Sequence, residues 1–217
     1  MNSDSPSLAL TILVHGLWQS GLELFVMRRR LQADGTMRAL FFSYPTVVGS
    51  MSNHVRRLIE CARAHKSERL HFVGHSLGGL VVLRALQVTD DLPPGRAVLL
   101  GSPLQGSRTA QSLARIPIVR TLLGGALTEE CVNWSPREWS GRREVGVIAG
   151  SMGYGVGRLF ANLDEAHDGT VLVEETRLPG AKDHIVVNAT HTGLLVSAEV
   201  AEQTRHFLEN GAFSRAL

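Results

Sequence analysis

Short apolar runs that alternate with segments of helical period predict an α/β protein with a mostly parallel sheet and helices on both faces. Two features carry this expectation. The apolar runs are three to seven residues long, the first of them with β-branched residues, and the segments between them repeat their apolar positions every three to four residues. A chain of 217 residues can bury one good core, so residues 1–217 are expected to form a single domain.

The first strand is read over residues 8–14, ending abruptly at His15-Gly16. A helix is expected over residues 22–33, with Leu24, Met27 and Leu31 on one stripe and Gly35 as its stop. Residues 39–43 form the second strand, closed by Pro45. Ser52 then caps a helix carrying Val55, Leu58, Ile59 and Ala62. The third strand, residues 70–73, runs into Gly74-His75-Ser76-Leu77-Gly78-Gly79. The next helix, residues 80–88, is apolar nearly all round, as expected of one buried against a sheet. Residues 97–100, 145–149 and 185–187 complete the strands. The last helix starts at Ser197, turns Val200, Thr204, Phe207 and Leu208 inward and ends at Gly211. Residues 104–143 are long for a connection and carry their own apolar content, which predicts a cap or lid insertion over the carboxyl edge of the sheet.

An apolar fraction of 44% with 19% charged residues describes an ordinary soluble globular chain. The 22 basic and 20 acidic residues nearly cancel to +2, giving no electrostatic case for nucleic acid as a partner. Arg28-Arg29-Arg30 sits within an expected amphipathic helix and reads as its solvated face. Cys61 and Cys131 read as two free thiols. The polar start, residues 1–7, has no apolar signal region, and no apolar run approaches the roughly 20 residues of a membrane span. A cytoplasmic protein without a transmembrane segment is therefore the expectation.

Gly74-His75-Ser76-Leu77-Gly78 matches Gly-x-Ser-x-Gly with a strand before it and a helix after it. A very tight strand-to-helix turn exposes the Ser76 hydroxyl above the sheet, and the glycines are needed because a Cβ there would clash. His75 reads as a packed residue, since adjacency in sequence does not place its ring on the hydroxyl. The Leu77 backbone N–H is a candidate oxyanion donor. His15-Gly16-Leu17-Trp18 follows the first strand, and Gly16 lets the Leu17 amide face the serine as a second donor. Trp18 either walls the acyl group or simply packs.

A serine needs a histidine to take its proton and an acid to orient that histidine, in the chain order Ser, Asp or Glu, His. Asp168 is the leading acid because Gly169 frees the turn that aims it inward, with Asp164 as the alternate. For the base, His191 lies in the loop before the last helix and is preferred; His184, at the start of the last strand, is the alternate. Gly153-Tyr154-Gly155-Val156-Gly157 fits no nucleotide-binding pattern and reads as a loop. The absence of H-E-x-x-H disfavours zinc hydrolysis.

Taken together, the chain resembles lipase-like α/β-hydrolases and the GPI inositol-deacylase-like group of that superfamily. The segments that carry the likeness are Val14 to Trp18, Gly74 to Gly79, Gly101 to Ser107, Asp168 to Val171, and Asp183-His184 through Leu195. The resemblance implies an α/β-hydrolase fold and a Ser76-Asp168-His191 triad with the Leu17 and Leu77 amides as oxyanion hole. It also implies hydrolysis of a small-molecule or lipid ester through an acyl-enzyme, with no metal or organic cofactor. Thioesterase, acyltransferase or amidase chemistry on the same residues is the nearest alternative, and a catalytically silent binding protein of this fold the next.

Overall fold

A computed structural model of the chain describes residues 8–153 and 165–215. Its strands are β1 (Ala9–Val14), β2 (Met37–Phe42), β3 (Leu70–His75), β4 (Ala97–Leu100), β5 (Val145–Gly150) and β6 (Asp183–Val187). They form one sheet in the order β2-β1-β3-β4-β5-β6, with every neighbouring pair parallel. All carboxyl ends therefore open on the same edge. The helices are α1 (Phe25–Leu31), α2 (Met51–Ala64), α3 (Leu77–Val88), α4 (Arg108–Leu113), α5 (Pro117–Leu127) and α6 (Ala198–Asn210).

The central strands β1, β3, β4 and β5 are largely apolar on both sides because both sides are covered. Ile12, Val14, Phe72, Leu99 and Val147 pack with α2 and α3, whereas Leu13, Val73, Val98, Leu100 and Ile148 pack with α1 and α6. This period of two is the strand geometry itself. The single α/β domain expected from the sequence is the one observed, and its sheet is parallel throughout.

Several element boundaries differ from the sequence reading: β2 runs over 37–42 where 39–43 is expected, and β6 begins at Asp183 where 185 is expected. The helix expected over 22–33 is a 3₁₀ turn, Leu22–Leu24, followed by the short α1. The cap of α2 is Ser50, whose Oγ accepts the Asn53 N–H at 3.3 Å; Ser52 lies inside the first turn and bonds the Ser50 hydroxyl at 2.8 Å. α3 starts at Leu77, three residues before the expected position. Glycine propensity argues against helix there, and tertiary packing overrides it. α6 keeps its expected signals: Ser197 accepts the Val200 N–H, and Gly211 closes the helix at φ 79°.

The segment 104–143 is built into the core along much of its length. Leu104, Ala110, Leu123, Ala126, Cys131 and Trp139 join the same apolar cluster as α2 and α3. A buried ion pair fastens it further: Arg137 Nη2 meets Glu130 Oε2 at 2.6 Å, and Arg84 on α3 reaches Glu130 at 3.0 Å. Its outer turn is different in character, because Ile116, Ile118 and Leu122 are exposed. Cys61 and Cys131 are free thiols. Among the described residues no helix is long and apolar enough to cross a membrane.

His71, buried on β3, accepts the Arg96 N–H at Nδ1 (3.1 Å). Burial first, then the nearby Arg143, Arg69 and Arg96, push its pKa down to about 4 from 6.5. Between those values the unfolded chain binds the proton that the folded chain refuses, so stability is complete above the unfolded value and is lost as pH falls towards 4. Calorimetric scans at falling pH are expected to show Tm dropping through this window. His71→Asn, which retains an acceptor and does not titrate, should flatten the slope, part of which remains with His15, His54, His75 and His184, whose pKa values shift the same way.

Candidate active site

β3 ends at His75 and α3 begins at Leu77, so Ser76 alone makes the turn. Its φ of 53° and ψ of −122° place an L-residue in a strained region of the backbone map. The neighbouring glycines leave it no other course. A Cβ on Gly74 would stand 2.6 Å from Gly79 Cα, one on Gly78 would overlap the Val14 carbonyl oxygen, and one on Gly79 would overlap Ser102 Oγ. The Ser76 N–H donates to Leu100 O at 2.9 Å, which ties the bend to the end of β4.

The loop after β1 lies directly against this bend. A Cβ on Gly16 would come within 3.0 Å of Ser76 Cβ and 3.1 Å of His75 Nδ1. The Gly16 N–H donates to Gln19 Oε1 (2.8 Å) and the Trp18 N–H to Thr46 Oγ1 (3.1 Å). Between them, the Leu17 amide has no acceptor among the described residues. The Leu77 amide is a first-turn N–H of α3, a position that helix geometry leaves unpaired. His15 braces the loop from below. Its ring stacks on Tyr44 at 4.7 Å, accepts the Tyr44 N–H at Nε2 (3.3 Å) and bonds Gly16 O through Nδ1 (3.0 Å). Desolvation by burial lowers its pKa and keeps the ring neutral.

Asp168 and His191 come together. His191 Nδ1 stands 2.7 Å from Asp168 Oδ2, and the His191 N–H donates to Asp168 O at 2.8 Å. The other carboxylate oxygen accepts the amides of Thr170 (2.9 Å) and Val171 (2.8 Å). Gly169, at φ 97°, permits the turn that aims them. A wholly buried carboxylate is tolerable only with such donors. The acid turn is tied to α4, since Thr109 Oγ1 donates to Thr170 O (2.7 Å) and Glu175 accepts the amides of Leu172 and Arg108. The His191 ring packs on the ring of His75, centroids 4.7 Å apart, next to Ser76.

His184 is not brought to this group. It lies on β6, three strands and roughly 14 Å across the sheet from β3, and its Nε2 bonds Thr176 Oγ1 at 2.9 Å. Asp164, and the glycine-rich loop from Tyr154 onward, lie outside the described residues. Among the described residues no group of three or more His, Cys, Asp or Glu side chains could hold a metal. Gln19, Tyr44 and Thr46 brace the site, and nothing in the sequence pattern marks them. His75, read from the sequence as a packed residue, is buried, but its hydrogen bonds leave no mark there.

The sequence model of the alpha/beta hydrolase family matches residues 11–183. No curated protein sequence is significantly similar to the chain. Among solved structures, the mature lipase BlEst2 of Bacillus licheniformis superposes with a TM-score of 0.70 at 19% identity, over 88% of this chain and 87% of that one. A metagenomic carboxyl esterase gives 0.64 at 17% identity, over 86% of this chain and 65% of that one. A carboxylesterase of Bacillus subtilis gives 0.61 at 14% identity, over 94% and 84%.

Because the Gly78 site is closed by main chain, Gly78→Ala is expected to lower stability by about 1–3 kcal/mol or more. The urea midpoint measures it. An unchanged midpoint would mean that the bend opens without cost.

Proposed function

Because the chain belongs to the alpha/beta hydrolase family, we propose that it is a serine hydrolase cleaving carboxylic esters through an acyl-enzyme. Ser76 is the nucleophile, His191 the general base, Asp168 the orienting acid, and the Leu17 and Leu77 amides the oxyanion hole. The observation that carries this reading is the 2.7 Å Asp168–His191 pair at the edge where Ser76 stands on its strained bend. Structural likeness to proteins described as a lipase and as carboxylesterases favours an ester over other acyl compounds.

Asp168 holds the proton of His191 on Nδ1, which leaves Nε2 with a free lone pair. As Ser76 Oγ bonds to the acyl carbon, its proton passes to Nε2 and the carbonyl π pair moves onto oxygen. The two amides stabilise that charge, and losing one such donor typically costs about 10²–10³ in rate. Collapse of the intermediate breaks the bond to the leaving alcohol, which takes the proton from His191. Water then repeats the sequence, with Ser76 as the leaving group and a carboxylic acid as product.

The apolar rim supports a substrate class. Trp18, Val48, Ile118 and Leu122 are exposed apolar side chains. The Trp18 indole N–H donates to Leu122 O at 2.9 Å, so the oxyanion loop and α5 share this surface. In this reading the outer turn of 104–143 acts as a cap, and the acyl group is a hydrocarbon chain. The natural substrate is a small-molecule or lipid ester.

Ser76→Ala is expected to abolish labelling by a fluorophosphonate probe and hydrolysis of p-nitrophenyl esters, with the thermal unfolding curve preserved. A wild-type protein that never labels would favour a silent binding protein, and efficient turnover of thioesters or amides alone would move the substrate class. In a panel of p-nitrophenyl esters, kcat/KM should rise with acyl length through medium chains. Ile118→Ser with Leu122→Ser is expected to reduce kcat/KM for the longer esters by about tenfold, since burying each methylene is worth roughly 0.8 kcal/mol, and to spare acetate. An equal loss on acetate would remove the rim from the acyl path.

A further inference from the structure

His75 occupies the variable position before Ser76 and takes no part in the proton transfers above. Its ring is nevertheless placed where three loops meet. Nε2 stands 3.0 Å from the main-chain oxygen of His191, and the ring faces the His191 ring at 4.7 Å and 47°. Nδ1 looks toward Gln19 Oε1 at 3.4 Å, an oxygen already engaged by the Gly16 N–H at 2.8 Å. We propose that His75 is a positioning residue: its Nε2–H donates to the carbonyl of His191 and fixes the base loop to the same bend that carries the nucleophile.

This inference rests on the reading of Ser76, Asp168 and His191 as the reacting group. A carbonyl oxygen can only accept, so the proton of that contact belongs to His75 Nε2. The ring is closed off from solvent and burial holds its pKa well below the ordinary value, so it carries a single proton. Nδ1 is then bare, which agrees with its long separation from Gln19 Oε1. Asp168 already sets the direction of the His191 ring through Nδ1 and bonds the His191 amide. His75 grips the other main-chain polar group of the same residue. The base is therefore held on its amide, its carbonyl and its ring, and the third grip comes from the residue adjoining the nucleophile. Displacement of the elbow carries the base loop with it, which conserves the distance that proton transfer needs. The partner ring also suits the charge cycle. His191 gains a proton in each half-reaction, and its closest ring neighbour is neutral. The titratable groups that face His75 are His191 and His15, and burial keeps His15 neutral as well.

His75→Phe keeps a ring and loses the donor; His75→Gln keeps an amide N–H that can reach the same oxygen. In His75→Phe, kcat on a short p-nitrophenyl ester is expected to fall about 10–100-fold, with KM changing by less than about twofold. Fluorophosphonate labelling should slow in parallel, and the downfield proton resonance of the His191–Asp168 bond should broaden. His75→Gln is expected to recover most of the loss. A folded His75→Phe with wild-type kcat and an unaltered resonance overturns the proposal, as does a His75→Gln no better than the phenylalanine variant. A check independent of any variant is the nitrogen NMR shift of the wild-type His75 ring, which must report the Nε2–H tautomer; the Nδ1–H tautomer overturns the assignment. The outcomes separate this inference from the reading beneath it. Activity retained by Ser76→Ala removes the reacting group itself, whereas an undiminished His75→Phe removes only the positioning role.

Discussion

Between β3 and α3 the chain has room for hydrogen atoms and little else, and the rest of the site is arranged around that shortage. Gly74, Gly78 and Gly79 let the helix start within contact of the strand, of the Val14 carbonyl and of the Ser102 hydroxyl. Ser76, caught between them, adopts a backbone conformation that costs on the order of 1–3 kcal/mol. The surroundings sustain the strain. The sheet beneath is buried on both faces, and the same close approach that crowds Ser76 brings the Gly16 loop against its Cβ. One steric constraint thus sets the exposure of the hydroxyl and its distance to the loop holding the Leu17 amide.

Around this bend, the charged and polar groups follow two regimes. The Asp168 carboxylate is fully enclosed and is satisfied on both oxygens by Thr170, Val171 and His191. His15 and His75 are enclosed too, and burial drives both away from the cationic form. In a low-dielectric interior an unpaired cation would be costly. Next to the bend, Asp168 is thus directed at one imidazole, and two neutral rings serve as struts. Glu130 and Arg137, remote from the serine, are also deeply buried charges, and they answer the same requirement by pairing with each other.

The sheet was legible because its strands are short apolar runs while a helix such as α6 is apolar on one stripe, so periodicity separates residues 8–14 from the stripe of Val200, Thr204, Phe207 and Leu208. Ser76 was legible because the glycine spacing encodes a steric need. The pairing of Asp168 with His191 was suggested by loop placement, and it left His184 open, since sequence carries no measure of distance across a sheet. Local rules missed two helix starts. The cap of α2 falls on Ser50, two residues before the expected Ser52, and glycines poor in helix propensity open α3 because packing pins them there. The struts were illegible for a simpler reason. Gln19, Tyr44 and the ring of His75 act through hydrogen bonds and ring contacts that leave no period, spacing or composition behind.

Trp18 has a consequence of an optical kind. The chain holds three tryptophans. Trp139 is buried against the core, Trp134 is half-covered beside Gly106, and Trp18 is 61% exposed with its indole bonded to Leu122. Water around an indole shifts its emission to longer wavelength, so the red side of the protein's intrinsic fluorescence originates mainly at the rim of the serine site. The molecule thus carries its own dye, one residue from the Leu17 amide, and a hydrocarbon chain settling there would turn that signal blue without any label attached.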